Sequence, residues 1–348
     1  MKSIFELLTR LTEIELLSGR ESTSYEKKIP EIFSEYGATS DQFGNLWIKK
    51  ESNCPNAKNI LVEAHLDAIG LCVKGICDGG FLSVCALGGF DASILPGTEF
   101  LVHSRRLYKA IATSVPPHLL KKTENDKKLS LEDIYLDCGF SSKEEAEKHV
   151  EIGSSVSFAS PCKRLLGDCI TAPSLDNKAA VAALLLASEK VISPHNLSFM
   201  FSMGEETTSR GVKSAGFDKK PDLALVVDAG FGFAKGLDED KCIKMNAGPS
   251  VSIADTLSAK VPRWVIEVAK KENVPLQIVV EPGGTGTSAT ALQMRENGIP
   301  CGLISIPLKY MHTPSETVTE GDVEKTCELL CALLSQDEIP FGEVNLIG

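Results

Sequence analysis

The 348-residue sequence has no surplus of positive charge. Its 36 Lys and Arg stand against 47 Asp and Glu, for a formal net charge of −11 and a pI near 5.2. No basic stripe interleaved with aromatics is present, so nothing neutralises a phosphate backbone or an anionic bilayer, and nucleic acid and membrane are excluded as partners. Long apolar runs are also missing. The longest uncharged one, AAVAALLLA at 179–187, is too short to span a bilayer. The N-terminal stretch MKSIFELLTRLTEIELLSG is interrupted by Glu6, Arg10, Glu13 and Glu15, so it lacks a signal-peptide core and a cytoplasmic location is expected. Among 11 cysteines there is no Cys-x-x-Cys pair. Cys72, Cys85, Cys169 and Cys301 stand singly in apolar runs, and Cys327 and Cys331 lie one helical turn apart on a buried-looking face. That usage predicts reduced, buried thiols in a reducing compartment, not a disulfide framework or a cysteine zinc site. There is no internal repeat and no low-complexity tract.

What remains is an ordinary globular composition, 43% hydrophobic and 24% charged, long enough for one large domain with a smaller partner. Ile4, Leu7, Leu8, Leu11 and Ile14 recur at helical spacing, with Gly19 as a stop, and a second helix is predicted over about Tyr25–Tyr36. FGNLWIKK and NILVEAHLDAIG read as strands around the turn SNCPNAKN. Between residues 70 and 166 the glycine pairs Gly79–Gly80 and Gly88–Gly89 and short apolar runs suggest a small β-rich module. It carries an exposed charged segment, KKTENDKK (121–128), and one helix in SSKEEAEKHV. After Gly167 strands and helices alternate: a helix after Asp176, strands LSFMFSM and LALVVD, a helix near 256–273, strand LQIVV, a helix near 288–297, strand GLISIPL and a closing helix over 322–334. This predicts an α/β domain (residues 1–69 and 167–348) with a mostly parallel sheet covered by helices, interrupted by the β-rich insertion 70–166.

Acidic residues and histidines collect where these strands end. ILVEAHLD delivers His65 and, two residues on, Asp67; PSLDNKAA delivers Asp176; FSMGEETTSRG delivers Glu205 and Glu206; ALVVD delivers Asp228; and LISIPLKY leads to His312. In open α/β sheets ligands bind beyond the carboxyl ends of strands. Each position also has an ordinary use: His65 as a core histidine, Asp176 as a helix N-cap, Asp228 in a solvated turn, His312 as a loop residue. Together, two imidazoles and a set of carboxylates without a thiolate suit Zn, Co, Mn or Fe. Two divalent cations sharing one carboxylate need about five protein ligands, and such a pair activates a bridging water and holds the carbonyl under attack. The adjacent glutamates then divide the work: one ligates, and its neighbour takes the proton, because a ligated carboxylate is a poor base.

The combination of SGRES, DQFGNL, VEAHLDAIG, VPPHLL, LDNKAA, GEETTSRG, VVDAG, GGTGTSA and SIPLKYMHTPSE resembles the tetrahedral aminopeptidases, also called glutamyl or deblocking aminopeptidases, some of which carry the old label cellulase M. The resemblance covers nearly the whole chain. It implies that His65 and Asp228 hold one metal, Glu206 and His312 the other, and that Asp176 bridges them. It makes Glu205 the general base and Asp67 the carboxylate that orients the first ligand histidine. It further implies that the insertion is a dimerisation domain and that dimers assemble into a tetrahedral dodecamer. This chain departs from the family pattern at Ala68, where Glu is usual after H-L-D, at Lys178 and Lys309, where Arg is common, and at Ser288, where many relatives carry Asp. None of these removes a metal ligand.

Other readings fit less of the sequence. GGTGTS lacks the Lys of a phosphate loop. A glycoside hydrolase would need two carboxylates across a sugar and no metal, and would leave His65, Asp176, Asp228 and His312 unexplained. A catalytically weakened metal-binding assembly has no use for an unligated Glu205. A carboxypeptidase or aminoacylase is an analogy at the level of fold. The expectation is therefore an aminopeptidase with two divalent metal ions per chain (Zn, with Co or Mn as alternatives), acting on short peptides and assembling as a homo-oligomer.

Overall fold

Ser3 caps the first helix, α1 (Ile4–Thr12): its hydroxyl accepts from the Glu6 amide, and the Glu6 carboxylate accepts from the Ser3 amide. Leu7, Leu8 and Leu11 on its inner face are fully buried. The computed structural model describes residues 3–20, 30–119 and 128–339. The helix ends before Ile14 and Gly19, earlier than the spacing predicts. Residues 16–18 leave it to pair with Ala68, distant in the chain, Ala68 N–H donating to Leu16 O (2.8 Å) and Ser18 N–H to Ala68 O (2.9 Å). The second predicted helix is present as α2 (Glu31–Ser34). Its part before residue 30 lies outside the described residues, as does nearly all of the charged segment 121–128.

Three strands follow, β1 (Thr39–Ser40), β2 (Leu46–Lys50) and β3 (Asn59–His65). Six more close into a barrel: β4 (Gly70–Ile76), β5 (Leu82–Leu87), β6 (Glu99–His103), β7 (Leu107–Thr113), β8 (Tyr135–Asp137) and β9 (Ser155–Phe158). Helix α3 (Lys143–His149) precedes the last of them. In β7, Tyr108, Ala110 and Ala112 are buried while Leu107, Lys109 and Ile111 face outward, the period of two expected of a strand with one side in a core. That core, with Leu71, Phe100, Val102, Leu136 and Val156, is separate from the main one.

Beyond the barrel lie β10 (Lys163–Arg164), β11 (Cys169–Ala172), helix α4 (Leu175–Lys190), β12 (Asn196–Ser202), the short helices α5 (Glu205–Thr208) and α6 (Arg210–Ser214), and β13 (Leu223–Phe231). Then come β14 (Ser250–Ala254), α7 (Lys260–Lys271), β15 (Gln277–Glu281), α8 (Ser288–Gln293), β16 (Cys301–Leu308), β17 (Glu316–Thr319) and α9 (Glu320–Leu334). The main sheet runs β1-β2-β12-β3-β13-β16-β14-β15. Its central strands β12, β3, β13 and β16 are parallel, while β2 and β14 join the flanks antiparallel. Central strands covered on both faces read as unbroken apolar runs, as NILVEAH does in β3. Helix α4 is apolar on every side and buried over nearly its whole length beneath α1 and α9. The strands β11, β14 and β17 are absent from the predicted order, because each has only four or five residues between turn-forming neighbours. Among the described residues, no helix is long and apolar enough to cross a membrane.

Candidate metal centre

The parallel strands β12, β3, β13 and β16 end along one edge of the sheet, and the residues singled out above meet there. His65 is the last residue of β3, Glu205 and Glu206 open α5 just after β12, Asp176 lies at the start of α4, and His312 follows β16. Asp228 sits inside β13 and does not end it, because that strand stays paired to β16 as far as Phe231 and Leu308. Gly204 makes the turn between β12 and the glutamates. Its φ is +71°, and an added Cβ would stand 2.6 Å from Arg210 Cγ, so only glycine fits.

Two sets of ligand-capable atoms result, His65 with Asp176 and Asp228, and Asp176 with Glu206 and His312, each set within 4.8 Å. Asp176 belongs to both and Glu205 to neither. His65 Nε2 is 3.3 Å from an Asp176 oxygen and 3.4 Å from Asp228. His312 Nε2 is 3.3 Å from Glu206 and 3.6 Å from the other Asp176 oxygen. His65 Nδ1 lies 2.9 Å from the main-chain oxygen of Asp67. A carbonyl only accepts, so Nδ1 carries a proton and Nε2 is the ring atom that faces the carboxylates. An imidazole nitrogen and carboxylate oxygens thus converge on one small volume, and the buried Asp176 Oδ1 accepts no hydrogen bond. Such a donor set fits a divalent cation.

The Asp67 carboxylate does something the sequence did not predict. It stands 3.9 Å from His65 Nδ1, and its two oxygens accept from the main-chain N–H groups of Glu205 (2.9 Å) and Glu206 (3.2 Å). The histidine is oriented by the Asp67 carbonyl, and the carboxylate holds the glutamate turn. Glu316 plays the matching part on the opposite side and was missed in the sequence. Fully buried, it accepts from the N–H groups of Asp176 (2.9 Å) and His312 (2.7 Å). The only signal was its place at the end of MHTPSE, inside a strand too short to read.

Crowded carboxylates away from water hold protons tightly. Burial pushes Glu205 up to about 9, with Asp228, Glu206 and Asp67 adding to the rise and His65 opposing it. Burial also raises Glu206 and Asp228. For His312 burial works against the charged form, but Glu206, Asp176 and Glu316 outweigh it and raise the group to about 9. His65 is likewise raised well above the ordinary imidazole range, Asp228 and Asp176 prevailing over burial.

The barrel reaches this edge through Gly88 and Gly89. An added Cβ on Gly88, where φ is +90°, would meet Ile69 Cγ2 at 2.7 Å and Glu206 Cβ at 3.4 Å; one on Gly89 would lie 3.1 Å from His312 Nδ1. Gly88→Ala is therefore expected to destabilise the protein by about 2 kcal/mol, from left-handed backbone and overpacking combined. An unchanged midpoint of thermal or urea unfolding would show that the loop yields freely.

Residues 44–329 match the family described as M42 glutamyl aminopeptidase. The chain is 29% identical to the lysyl aminopeptidase of Pyrococcus furiosus over 341 residues, 95% of this chain and 97% of that protein. Its fold superposes on a TET aminopeptidase from a marine-sediment Thaumarchaeota archaeon with a TM-score of 0.88 at 26% identity, covering 97% of both chains. It is also similar to the Pyrococcus horikoshii TET1 peptidase, which assembles into a tetrahedron or a large octahedral shell (TM-score 0.82, 30% identity, 96% of this chain and 100% of that one).

Proposed function

Since the chain belongs to the M42 glutamyl aminopeptidase family of metal-dependent peptide hydrolases, we propose that it removes N-terminal residues from short peptides at a centre of two divalent cations, with Glu205 carrying the proton. One observation carries this reading: Asp176 is common to both ligand sets, while Glu205, beside the ligand Glu206, belongs to neither. His65 and Asp228 would hold one cation, Glu206 and His312 the other, and Asp176 both. Nitrogen and oxygen donors of this kind suit Zn, with Co or Mn as alternatives. When bound, the cations polarise the peptide carbonyl and make water a nucleophile at neutral pH. Glu205, half-buried beside Glu206, accepts the proton from water and returns it to the leaving amine. Asp67 keeps Glu205 in position through its main-chain amide.

The relatives that assemble into closed shells support a homo-oligomer, with residues 70–166 as the inserted dimer-forming domain on a catalytic domain of 1–69 and 167–348. The test of the activity is a panel of free and N-acetylated short peptides, run after EDTA and again after adding Zn, Co or Mn. The expected result is cleavage of the free-amine peptides alone, lost with chelator and restored by one metal. Cleavage of blocked peptides from a free C-terminus would replace this reading with a carboxypeptidase or aminoacylase. Inert metal-loaded protein would indicate a weakened assembly, and chelator-resistant hydrolysis of a β-glucan a glycoside hydrolase.

A further inference from the structure

A cavity of about 280 Å³ opens between the N-terminal segment, barrel strands β6 and β9, and the start of α4. Its walls are mixed, with Leu17, Ala68, Leu101 and Phe158 on the apolar part, and it holds one deeply buried cation, Lys178, 2% exposed.

Lys178 Nζ donates to a single acceptor, the main-chain oxygen of Ile14, at 2.6 Å. An ammonium has three donors, and among the described residues Lys178 makes no ion pair. The nearby carboxylates are committed elsewhere. Glu15 at the cavity wall is bound by His103 Nε2 and Ser157 Oγ, each at 2.7 Å. Both oxygens of Glu316 are taken by the amides of Asp176 and His312. Glu13, also at the wall, is exposed to solvent. Burial disfavours the charge of Lys178, Glu15 and Glu316 attract the ammonium without bonding it and offset that only in part, and an anion in the adjoining space relieves the rest. At about 30 Å³ per water-sized atom group, the cavity has room for roughly nine non-hydrogen atoms.

We infer that this cavity is a binding site for a small carboxylate with an apolar tail, the carboxylate paired with Lys178 and the tail against Leu17, Leu101 and Phe158. The carboxylate could belong to a free amino acid or to a plain short-chain acid. Binding, not peptide hydrolysis, reads out the site, so the inference stands or falls separately from the peptidase reading.

The experiment is calorimetric titration of the full-length protein with isocaproate, leucine and isocaproamide, which share one carbon skeleton and differ in their charged ends. Isocaproate should bind, and isocaproamide, which has neither a carboxylate nor a free amine, should not. Leucine binding that persists in Glu206→Ala would make the site general for both sources, and isocaproate alone would restrict it to plain acids. Lys178→Met should weaken isocaproate at least about tenfold, the loss of a charge-assisted hydrogen bond. Leu101→Trp, which fills the cavity from the barrel side and leaves the lysine intact, should do the same. Glu206→Ala, which alters only the metal centre, should leave isocaproate binding unchanged. Binding of isocaproamide in preference to isocaproate, or no binding of either acid, overturns the inference and leaves a cavity that holds water.

Discussion

In Glu205→Gln, turnover of free-amine peptides should fall by about 10²–10⁴-fold while the protein keeps its full complement of metal. The substitution preserves size and leaves the main-chain bond to Asp67 in place, since that bond uses the Glu205 N–H. It removes only the ability to take a proton. Glu205 stands outside both ligand sets, so metal stoichiometry measured by mass spectrometry of the native protein should not move. Glu206→Ala is the matched control. It removes an oxygen that faces His312 Nε2 at 3.3 Å, within the set that includes Asp176, and should lose metal. Equal metal loss in the two variants would contradict the division of labour between these neighbours.

Glu316→Gln should weaken metal binding by about 10–100-fold and destabilise the fold by about 2–3 kcal/mol, although Glu316 belongs to neither ligand set. Its two oxygens accept from the amides of Asp176 and His312, so one carboxylate fixes the loops that carry two of the site's residues. A glutamine puts an NH₂ group where one oxygen was, and donor then faces donor. That loop must shift, and its side chain with it. A competition titration against a chromogenic chelator measures the metal, and urea unfolding the stability. Wild-type values in both would reduce Glu316 to a bystander.

The Asp67 and Glu316 carboxylates do the same work from opposite sides. Each binds the backbone amides of two residues of the candidate metal centre, so the geometry rests on main-chain positions as well as on side-chain rotamers. This explains how a centre built from five separate segments stays aligned. His65 gains its tautomer from a carbonyl, Glu205 and Glu206 their turn from Asp67, and Asp176 and His312 their registration from Glu316.

From the sequence alone, the apolar runs that become β3, β12, β13 and β16 were legible, because a strand covered on both faces must be apolar throughout. The acids and histidines at their ends stood out for the same reason, a polar group being conspicuous where burial stops. The long apolar run that becomes α4, the helix α9 and the separate β-rich stretch could be read from run length, apolar spacing and glycine pairs, which are local properties. Tertiary structure decided the rest. Whether α1 continued to Ile14 depended on Ala68, a partner more than fifty residues away that draws residues 16–18 into pairing. That Glu205 and not Glu206 stands clear of the ligand sets depended on how the Gly204 turn meets Asp67. The task of Glu316 depended on two loops brought together by strand order, and the solitude of Lys178 on which carboxylates around it were already bound. Periodicity records only whether a residue faces the core. Which groups share a hydrogen bond or a charge is settled by contacts between segments distant in the chain, and no local pattern encodes them.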